Sequence, residues 1–454
     1  MADKYHRTPQ DVAPVSTKYR RIATQLPVPE SLPILEKLAT YEPESMQGQP
    51  PLIWGRAEGV QVSDPWGNTW LDWSSGVLVT NAGHGCPEIR KAIQQYVDKP
   101  LLATYVFPHE ARANLCETLA KLAPEGRDKV FLLSTGSEAT ENTIKLARTY
   151  GIRQGGERKH VIVSFSGAFH GRTLGAQAAG GMPNQKAWIV ELPGGFVQVP
   201  FPDGFVQDDV DFAVFERSLR EQDVHPGDVA GVITETYQGV GPNFLPQEYA
   251  DKLQAWCRSH DVVLIADEVQ AGFGRTGTFF GFEQYNWTPD LIACGKGLSS
   301  SLPISAVIGR SDIMGLYPPG SMTSTHSASP LPTVAALANI EILKDESLLR
   351  HVREMGDILA AGLQDIKRQY PERVGAAYCR GLVGGLLMVQ PGTKTPDAKT
   401  ALAINESCFQ KGLLMFAPVG LGGECIKIAP PLAMPRDALE EGLAVLREAF
   451  AENL

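Results

Sequence analysis

The chain has 454 residues, of which 43% are hydrophobic, so it is long enough for more than one domain and a sizeable core. Its formal net charge of −10 argues against a sequence-independent nucleic-acid-binding protein, which would carry a surplus of basic residues. No apolar run approaches the ~18 residues of a membrane-spanning helix, and the polar N-terminus lacks the apolar region of a signal peptide. The seven cysteines are dispersed without a C-x-x-C pair, which indicates reduced thiols in a cytoplasmic protein.

The first 50 residues are rich in proline and weakly periodic, so we expect an arm, and Trp54–Trp73 alternates strand-like pieces with turns, which predicts a small meander. From about residue 85, strand-like runs alternate with helix-like stretches. This alternation predicts βαβ units, hence an α/β fold with a mostly parallel sheet and helices on both faces. The runs are Val130–Leu133, Val161–Phe165, Val229–Glu235, Val262–Val269 and Ile304–Gly309, and the helix-like stretches include Glu138–Arg148 and Gln247–Ser259.

A change of composition near residue 330 indicates a separate C-terminal domain. Pro330 precedes a long helical stretch that leads into Asp345–Tyr370, and a last helix is predicted over Asp437–Glu452. We therefore predict an N-terminal arm and meander over 1–80 that joins the small domain, a large domain over 81–332, and a smaller α+β domain over 333–454.

The first chemical motif, Leu132–Glu141, joins a strand to a helix through the turn Ser-Thr-Gly-Ser. The helix is predicted to begin at about Ser137, and its free N–H groups and positive end would bind a phosphate. A Ser or Thr followed by Glu is also typical of an ordinary capping box. Both interpretations stay open at this point.

The second motif is Phe165-Ser-Gly-Ala-Phe-His-Gly-Arg-Thr173, which follows a strand. The aromatic ring of Phe169 could stack on a planar cofactor. On this segment alone, a polar loop with a core phenylalanine is the better interpretation.

The third motif is the apolar strand that ends in Asp267-Glu268. A carboxylate buried there is costly unless a cation or metal pairs with it, and the structural alternative is a carboxylate that caps a helix. A Walker B magnesium site is excluded because the chain has no G-x-x-x-x-G-K-[ST] motif.

The fourth motif is Lys296, which glycines flank in Cys294-Gly-Lys-Gly-Leu298. A desolvated lysine with a lowered pKa is a good imine-forming nucleophile, although most lysines are exposed on a loop.

Together the four motifs fit pyridoxal phosphate. The amine of Lys296 would form an imine (a Schiff base) with it, and the carboxylate of Asp267 would keep its pyridine nitrogen protonated. The motifs follow one another at predicted strand ends, which is where open α/β sheets bind ligands. The sequence therefore predicts an enzyme that acts on amino groups.

The same set resembles the class III (ω-amino acid) aminotransferases of fold type I, a family that includes the 4-aminobutyrate and ornithine enzymes. The resemblance runs from about Leu52 to Leu432. Its motifs are Gly59–Asn68, Asn81–Pro87, the Ser-Thr-Gly-Ser-Glu-Ala turn, the Phe-His-Gly-Arg-Thr loop, Glu235–Gly239, the Asp-Glu-Val-Gln strand end, the Gly-Lys-Gly lysine, Ser324-Thr325 and Pro430–Leu432. It implies a large domain with a mostly parallel seven-stranded sheet and a smaller α+β domain.

The resemblance also implies roles for single residues. Lys296 and Asp267 would be catalytic, with Lys296 also carrying the proton between carbon atoms of substrate and cofactor. The other cofactor-binding residues would be Gly136 and Ser137 at the phosphate, Phe169 and Val269 on the two ring faces, Gln270 near the ring hydroxyl, His170, Glu235, and Thr325 at the phosphate of a neighbouring subunit. His326 stands where the family usually has Phe or Tyr. No metal is expected.

Three positions bear on the substrate. In 4-aminobutyrate enzymes the arginine that Arg172 matches holds the substrate carboxylate. Those enzymes also use a switch formed by a glutamate and an arginine. Here Val240 stands where the glutamate would be, and Lys427 stands where the arginine would be. Lysine offers a point charge and not a bidentate fork, so 2-oxoglutarate is less secure as the acceptor. Lys427 either binds a carboxylate or is a solvated edge-strand lysine.

The implied function is transfer of an amino group from an ω-amino acid or another primary amine to a 2-oxo acid such as 2-oxoglutarate or pyruvate. The alternative is a racemase or epimerase, decarboxylase or phospholyase of the same family; lysine at position 427 is also known in related phospholyases. A catalytically silent interaction protein is disfavoured because Lys296 and Asp267 are both present. We expect a cytoplasmic homodimer, with its pairing into a tetramer left open, and no nucleic-acid or membrane partner.

Overall fold

The structure is a computed structural model that describes residues 5–454. These residues form two compact units: unit 1 comprises 5–86 and 350–454, and unit 2 comprises 87–349. The three predicted segments, with limits at 80 and 332, divide the chain differently from these two units, and those limits stay a prediction. No helix among the described residues is both long and apolar enough to cross a bilayer.

The strands are β1 (Val15–Ser16), β2 (Arg21–Ile22), β3 (Arg56–Glu58), β4 (Gln61–Ser63), β5 (Thr69–Asp72), β6 (Lys129–Leu133), β7 (Val161–Phe165), β8 (Phe196–Val199), β9 (Val229–Glu235), β10 (Val263–Asp267), β11 (Leu291–Cys294), β12 (Ser305–Gly309), β13 (Val374–Arg380), β14 (Val383–Met388), β15 (Leu413–Leu414) and β16 (Cys425–Ile428). The helices are α1 (Leu32–Tyr41), α2 (Ser75–Leu78), α3 (Pro87–Val97), α4 (Glu110–Leu122), α5 (Gly136–Gly155), α6 (Leu174–Ala179), α7 (Pro183–Lys186), α8 (Ala213–Glu221), α9 (Gln247–Ser259), α10 (Ser311–Met314), α11 (Pro330–Leu343), α12 (Glu346–Gln369), α13 (Ala398–Gln410) and α14 (Arg436–Asn453).

Unit 2 is built on a seven-stranded sheet with the order β6-β12-β11-β10-β9-β7-β8. The pairs β8–β7, β7–β9, β9–β10 and β10–β11 are parallel, whereas β12 is antiparallel to both of its neighbours. Strands β9, β10 and β11 are buried along their whole length, which is why they read as near-continuous apolar runs in the sequence. The predicted α/β class with a mostly parallel seven-stranded sheet is therefore confirmed.

Helix α5 covers one face of this sheet. Its apolar side chains, among them Ile144 and Ala147, share a buried cluster with Ile162, Ile233 and Ile265 of three strands. Burying one such large aliphatic side chain contributes about 1.5–3 kcal/mol. This packing fixes the start of the helix at the carboxyl edge of the sheet.

Unit 1 contains a meander-based six-stranded sheet and a three-stranded antiparallel sheet with the order β13-β14-β16. The meander β3-β4-β5 lies within Trp54–Trp73, as the sequence predicted. Trp70 stacks on Phe409 with 5.4 Å between the ring centroids, and its indole N–H donates to the Phe409 carbonyl at 2.9 Å. This contact ties the N-terminal meander to α13.

Two strands of the seven-stranded sheet, β8 and β11, are not among the five runs predicted from the sequence. Strand β8 has four residues and follows the Gly194-Gly195 turn at the edge of the sheet. So short an edge strand carries little of the apolar periodicity on which such a prediction depends.

Gly442 of α14 permits a close approach to Trp73. A Cβ atom at Gly442 would lie 2.3 Å from Cζ2 of the fully buried Trp73 indole. We expect Gly442→Ala to lower the free energy of unfolding by about 1–3 kcal/mol, because the rigid ring and the helix must separate. Thermal unfolding measures this loss. Gly227→Ala is the control, because its Cβ would meet no atom within 4 Å, and an equal loss in both variants would contradict the prediction.

Candidate active site

Two acidic side chains lie next to each other at the carboxyl edge of the sheet in unit 2. The register of the parallel strands pairs Asp267 of β10 with Glu235 of β9 on one side and with Ala293 of β11 on the other. Lys296 follows in the turn directly after β11. Three of the residues predicted from the sequence are thus brought together by strand register.

Asp267 is buried and both of its carboxylate oxygens have partners. Oδ2 lies 2.7 Å from Nδ1 of His170, and Oδ1 accepts a hydrogen bond from the Val269 N–H at 3.1 Å. These partners offset the cost of burying the charge. Residues 268–280 form turns and bends, so the alternative of a carboxylate that caps a helix is wrong.

His170 is the cationic partner of this carboxylate. Burial opposes its protonation, but the hydrogen bond and the charge of Asp267 outweigh that effect, so the pKa of His170 is raised above its ordinary value. Its Nε2 is buried and has no hydrogen-bond partner among residues 5–454. The hydrogen bond between the two side chains therefore holds the Asp267 carboxylate in place at the end of β10.

Glu235 anchors the aromatic loop. Its carboxylate accepts hydrogen bonds from the N–H groups of Phe169 at 3.0 Å and Gly239 at 2.7 Å. Burial, and then the neighbouring charge of Asp267, raise its pKa to about 7, although His170 opposes the rise.

The residues after Glu235 form hydrogen bonds with the loops that follow the neighbouring strands β7 and β10. The Tyr237 hydroxyl donates to the main-chain carbonyl of Gln270 at 3.1 Å, and Nε2 of Gln238 donates to the Ser166 carbonyl at 2.7 Å. The end of β9 therefore fixes the loops after β7 and β10 on either side of it.

The predicted phosphate turn is a capped helix start. The side chain of Thr135 accepts from the Glu138 N–H, and the Glu138 carboxylate accepts from the Thr135 N–H, so the capping box is confirmed. The N–H groups of Gly136 and Ser137 occupy the first two positions of the helix, which have no partner within it. They stay available to an anion, and the two interpretations of this motif are compatible.

The aromatic loop packs directly against this turn. A Cβ at Gly171, whose φ is +131°, would lie 2.4 Å from Oγ of Ser137, and the Arg172 N–H donates to the same oxygen at 3.3 Å. Phe169 is half-buried and the core phenylalanine of this segment is Phe165. The ring of Phe169 is therefore free to contact a ligand.

Val269 lies between the phosphate turn and the lysine turn. A Cβ at Gly136 would lie 2.8 Å from Cγ1 of Val269, and a Cβ at Gly295 would lie 3.3 Å from the same atom. Glycine is needed at position 136 because any side chain there would displace Val269.

Lys296 begins a short 3-10 turn and is half-buried. Desolvation lowers its pKa below the ordinary value, although the charges of Asp267 and Glu235 oppose that change. The alternative of a solvated loop lysine is therefore wrong. A lysine that loses its proton more readily than usual is a suitable nucleophile.

The other predicted residues lie elsewhere on the described chain. Thr325 and His326 are exposed in the loop that precedes α11. Lys427 belongs to unit 1, where it lies on the edge strand β16 and is 1% exposed. An edge strand is as expected, but the alternative of a solvated lysine is wrong.

Two buried polar residues of unit 2, Glu268 and Asn339, were not among the site residues predicted from the sequence. Glu268 accepts hydrogen bonds from Thr236, from the Gly281 N–H and from the Phe282 N–H, and burial raises its pKa to about 7. Asn339 is fully buried in α11. An asparagine within a largely apolar helix was a usable signal in the sequence, because such an amide is costly to bury without partners.

Comparison with known proteins agrees with this geometry. The family described as Aminotransferase class-III matches residues 44–450. The 5-aminovalerate aminotransferase DavT of Pseudomonas putida is 35% identical over 88% of this chain and 94% of its own length. The 4-aminobutyrate aminotransferase GabT of Escherichia coli is 32% identical with the same coverage, 88% and 94%.

The chain belongs to the class III aminotransferase family. Solved structures agree, among them an amine transaminase from an uncultivated Pseudomonas species in its PLP-bound form. That structure matches with a TM-score of 0.81 and 27% sequence identity. The match covers 89% of this chain and 95% of the chain in that structure. The resemblance drawn from the motifs and the predicted fold type I are confirmed, and the enzyme is a pyridoxal-phosphate-dependent aminotransferase.

The residues at the sheet edge fit this cofactor. The free N–H groups at positions 136 and 137 suit a phosphate, the ring of Phe169 suits a planar heterocycle, and the Asp267 carboxylate suits a protonated pyridine nitrogen. Lys296, whose pKa is lowered, would supply the amine for a covalent bond to the aldehyde carbon.

The charges around Lys296 give a pH-dependent prediction. When pyridoxal phosphate is added to the apoenzyme, the rate of its covalent bonding to Lys296 should rise with pH and level off below pH 10.5, the ordinary pKa of lysine. Glu235→Gln removes a negative charge that raises the pKa of Lys296, so the rate should level off at a lower pH than in the wild type. Stopped-flow absorbance of the bound cofactor measures this profile.

Glu268→Gln is the matched control, since Glu268 is also buried with a pKa raised to about 7, but its substitution leaves the charges of Asp267 and Glu235 in place. The effect of Glu235→Gln should disappear below about pH 7, where the wild-type side chain is itself neutral. An equal shift in both variants would show that the charge of Glu235 is not the cause.

Proposed function

We propose that the enzyme transfers the amino group of an ω-amino acid to a 2-oxo acid. The observation that carries this proposal is the position of Arg172. Its guanidinium carbon lies 5.6 Å from the centroid of the Phe169 ring, on the loop that Glu235 and Ser137 hold at the sheet edge. An exposed cation beside the reacting centre suits the carboxylate at the far end of an ω-amino acid.

The names of similar proteins support this donor class. They include 5-aminovalerate, 4-aminobutyrate and acetylornithine aminotransferases, and in the first two the donor carries its carboxylate at the other end of the chain. None of these names describes a racemase, decarboxylase or phospholyase, so the alternative is not favoured.

In this proposal each residue at the sheet edge has a role. Gly136 and Ser137 hold the phosphate, Phe169 and Val269 enclose the two faces of the ring, and Gln270 approaches the ring hydroxyl. Asp267, which His170 orients, pairs with the ring nitrogen. The bound cofactor supplies an electron-withdrawing ring that weakens the C–H bond of the amine-bearing carbon.

Lys296 then acts as the general base and acid. The donor's amine would first displace Nζ from its bond to the aldehyde carbon. The freed Nζ would then take the proton from the amine-bearing carbon of the donor and deliver it to that carbon of the cofactor. Proton transfer by such a positioned group contributes about 10²–10⁴-fold to the rate. The depressed pKa of Lys296 favours the neutral amine that this step requires.

The proposal also includes a homodimer, with Thr325 at the phosphate of the partner subunit. The segment before α4 exposes Leu102 and Phe107, which are 60% and 70% exposed. Its Tyr105 hydroxyl lies 3.2 Å from that of Thr323, on the loop that carries Thr325. Apolar side chains exposed in this way favour a protein interface. Light scattering of the purified enzyme tests this part of the proposal, and a monomer with full activity would contradict it.

A cytoplasmic location is proposed because the cysteines, all within residues 5–454, form no disulfide there, which suits a reducing compartment. The acceptor is proposed only as a 2-oxo acid, since a lysine occupies the position at which the 4-aminobutyrate enzymes carry an arginine.

The test is a half-reaction screen. The cofactor-loaded enzyme is mixed with ω-amino acids, monoamines and α-amino acids, and loss of the cofactor's absorbance is recorded without an acceptor. ω-Amino acids should react fastest and give the semialdehyde. Products that are racemised or decarboxylated, with the original absorbance restored, would refute transamination. Lys296→Ala should abolish turnover while the far-UV circular dichroism stays unchanged.

Arg172 gives the sharper prediction on the substrate. Arg172→Ala should lower kcat/KM for 5-aminopentanoate about 10- to 100-fold, since a hydrogen bond to a charged group contributes about 1.5–3 kcal/mol. The same variant should change kcat/KM for pentylamine, which lacks the carboxylate, much less. Arg217→Ala on α8, another exposed arginine, is the control. Equal losses for both amines would remove Arg172 from the substrate site.

A further inference from the structure

Asn339 contacts the turn that carries Lys296. Its Nδ2 donates to the main-chain carbonyls of Gly297 at 2.7 Å and Leu298 at 2.9 Å. The side chain is fully buried in unit 2, and its Oδ1 has no hydrogen-bond partner within residues 5–454. The amide group thus serves this turn through its donors alone.

The two carbonyls need these donors. The 3-10 turn Lys296–Leu298 ends after three residues, and its own hydrogen bond runs from the Leu298 N–H to the Gly295 carbonyl at 2.9 Å. A helical turn of this length leaves its last carbonyls without partners. Both residues are buried, where an unsatisfied carbonyl costs about 1–3 kcal/mol.

Nearby hydroxyl groups are already engaged. Oγ of Ser299 donates to the Leu302 carbonyl at 2.5 Å, and Oγ of Ser301 donates to the Ser299 carbonyl at 3.0 Å. Neither of these hydrogen bonds satisfies the carbonyls of Gly297 and Leu298, to which Asn339 donates.

The backbone of Lys296 needs support from both sides. Its φ is +40°, in the left-handed region, which costs a residue with a side chain about 1–3 kcal/mol and persists only where the surroundings enforce it. On the N-terminal side, β11 is held in register with Asp267. On the C-terminal side, Asn339 holds the next two carbonyls. If the turn relaxed to the right-handed region, the Cα–Cβ bond of Lys296 would point in another direction.

We infer that Asn339 is a positioning residue for Lys296, which sets the direction of the lysine side chain by holding the turn that follows it. The inference rests on the proposed role of Lys296 as the residue that binds the cofactor covalently. Asn339 itself touches neither substrate nor reacting atoms in this proposal.

Two near-isosteric variants test the inference. Asn339→Leu removes both donors and keeps the approximate volume, and Asn339→Asp replaces them by a carboxyl group. The readout is the rate at which added pyridoxal phosphate bonds to Lys296 in the apoenzyme, followed by absorbance from pH 6 to 10. Borohydride reduction and mass spectrometry of the peptide that contains Lys296 then identify the bonded residue.

Asn339→Leu should slow this reaction at least tenfold at every pH, since a displacement of about 1 Å can cost on the order of 10²-fold in rate. Relative to the wild type at the same pH, Asn339→Asp should be as slow at high pH and should recover in part as the pH falls, because a protonated carboxyl can donate to one carbonyl. Recovery in the aspartate variant but not in the leucine variant would show that the donor, and not the volume, is required.

Asn405→Leu is the matched control. Asn405 is also buried in a helix, α13 of unit 1, and its Nδ2 donates to the Phe416 carbonyl at 3.0 Å. It should lose thermal stability without a change in the rate or pH profile of the reaction at Lys296. If Asn339→Leu does not fold, Asn339→Ser, which keeps one donor, carries the same test with an intermediate rate expected.

Different results would overturn the role of Asn339 and the proposed function. Wild-type rates and pH profiles in the Asn339 variants would overturn the inference and leave the function intact. Bonding of the cofactor to a lysine other than Lys296 in the wild type would overturn the proposed function first.

Discussion

The active site depends on the burial of two carboxylates side by side. Parallel register makes Asp267 and Glu235 neighbours, and adjacent strands lie only about 4.8 Å apart. Two like charges at that distance in a buried site need cations near them or must give up one charge. His170 pairs with Asp267, Lys296 lies in the field of both, and burial raises the pKa of Glu235 to about 7. In the proposed function, the carboxylate of Asp267 is the group of this cluster that would pair with the protonated ring of the cofactor.

The end of β9 is the structural centre of this cluster. Glu235 accepts a hydrogen bond from the aromatic loop at Phe169, and Gln238 donates one to the start of the same loop, at the Ser166 carbonyl. Tyr237 donates to the main chain of Gln270, on the other side. Because β9 lies between β7 and β10 in the sheet, one short segment aligns the groups on both sides. A shift of this segment would move Phe169 and Gln270 together, so the position of one relative to the other would be kept.

The strands of the large sheet and the polar residues at their ends could largely be predicted from the sequence, for a physical reason. Fully buried strands such as β9 and β10 read as apolar runs with polar ends, so the positions of Asp267 and Lys296 at strand ends of the sheet could be predicted. Contacts between segments far apart in the sequence could not be predicted. Nothing in the spacing shows that Gln238 bonds to Ser166, or that Asn339 bonds to the lysine turn, because tertiary packing decides which buried donors meet which carbonyls. Lys427 was left open for the same reason, since an edge strand alone does not decide whether its side chain is solvated.

The site separates chemistry from specificity by burial. Asp267, His170 and Glu235 are buried, and they are joined by a hydrogen bond and by strand register. Arg172 has only its main chain fixed, through Ser137, while its guanidinium is exposed beside Phe169. A change of residue at position 172 would therefore alter the charge presented to the substrate without disturbing the pairing of Asp267 with His170. This arrangement explains physically how one cofactor cluster can serve donors that differ at the end remote from the amine.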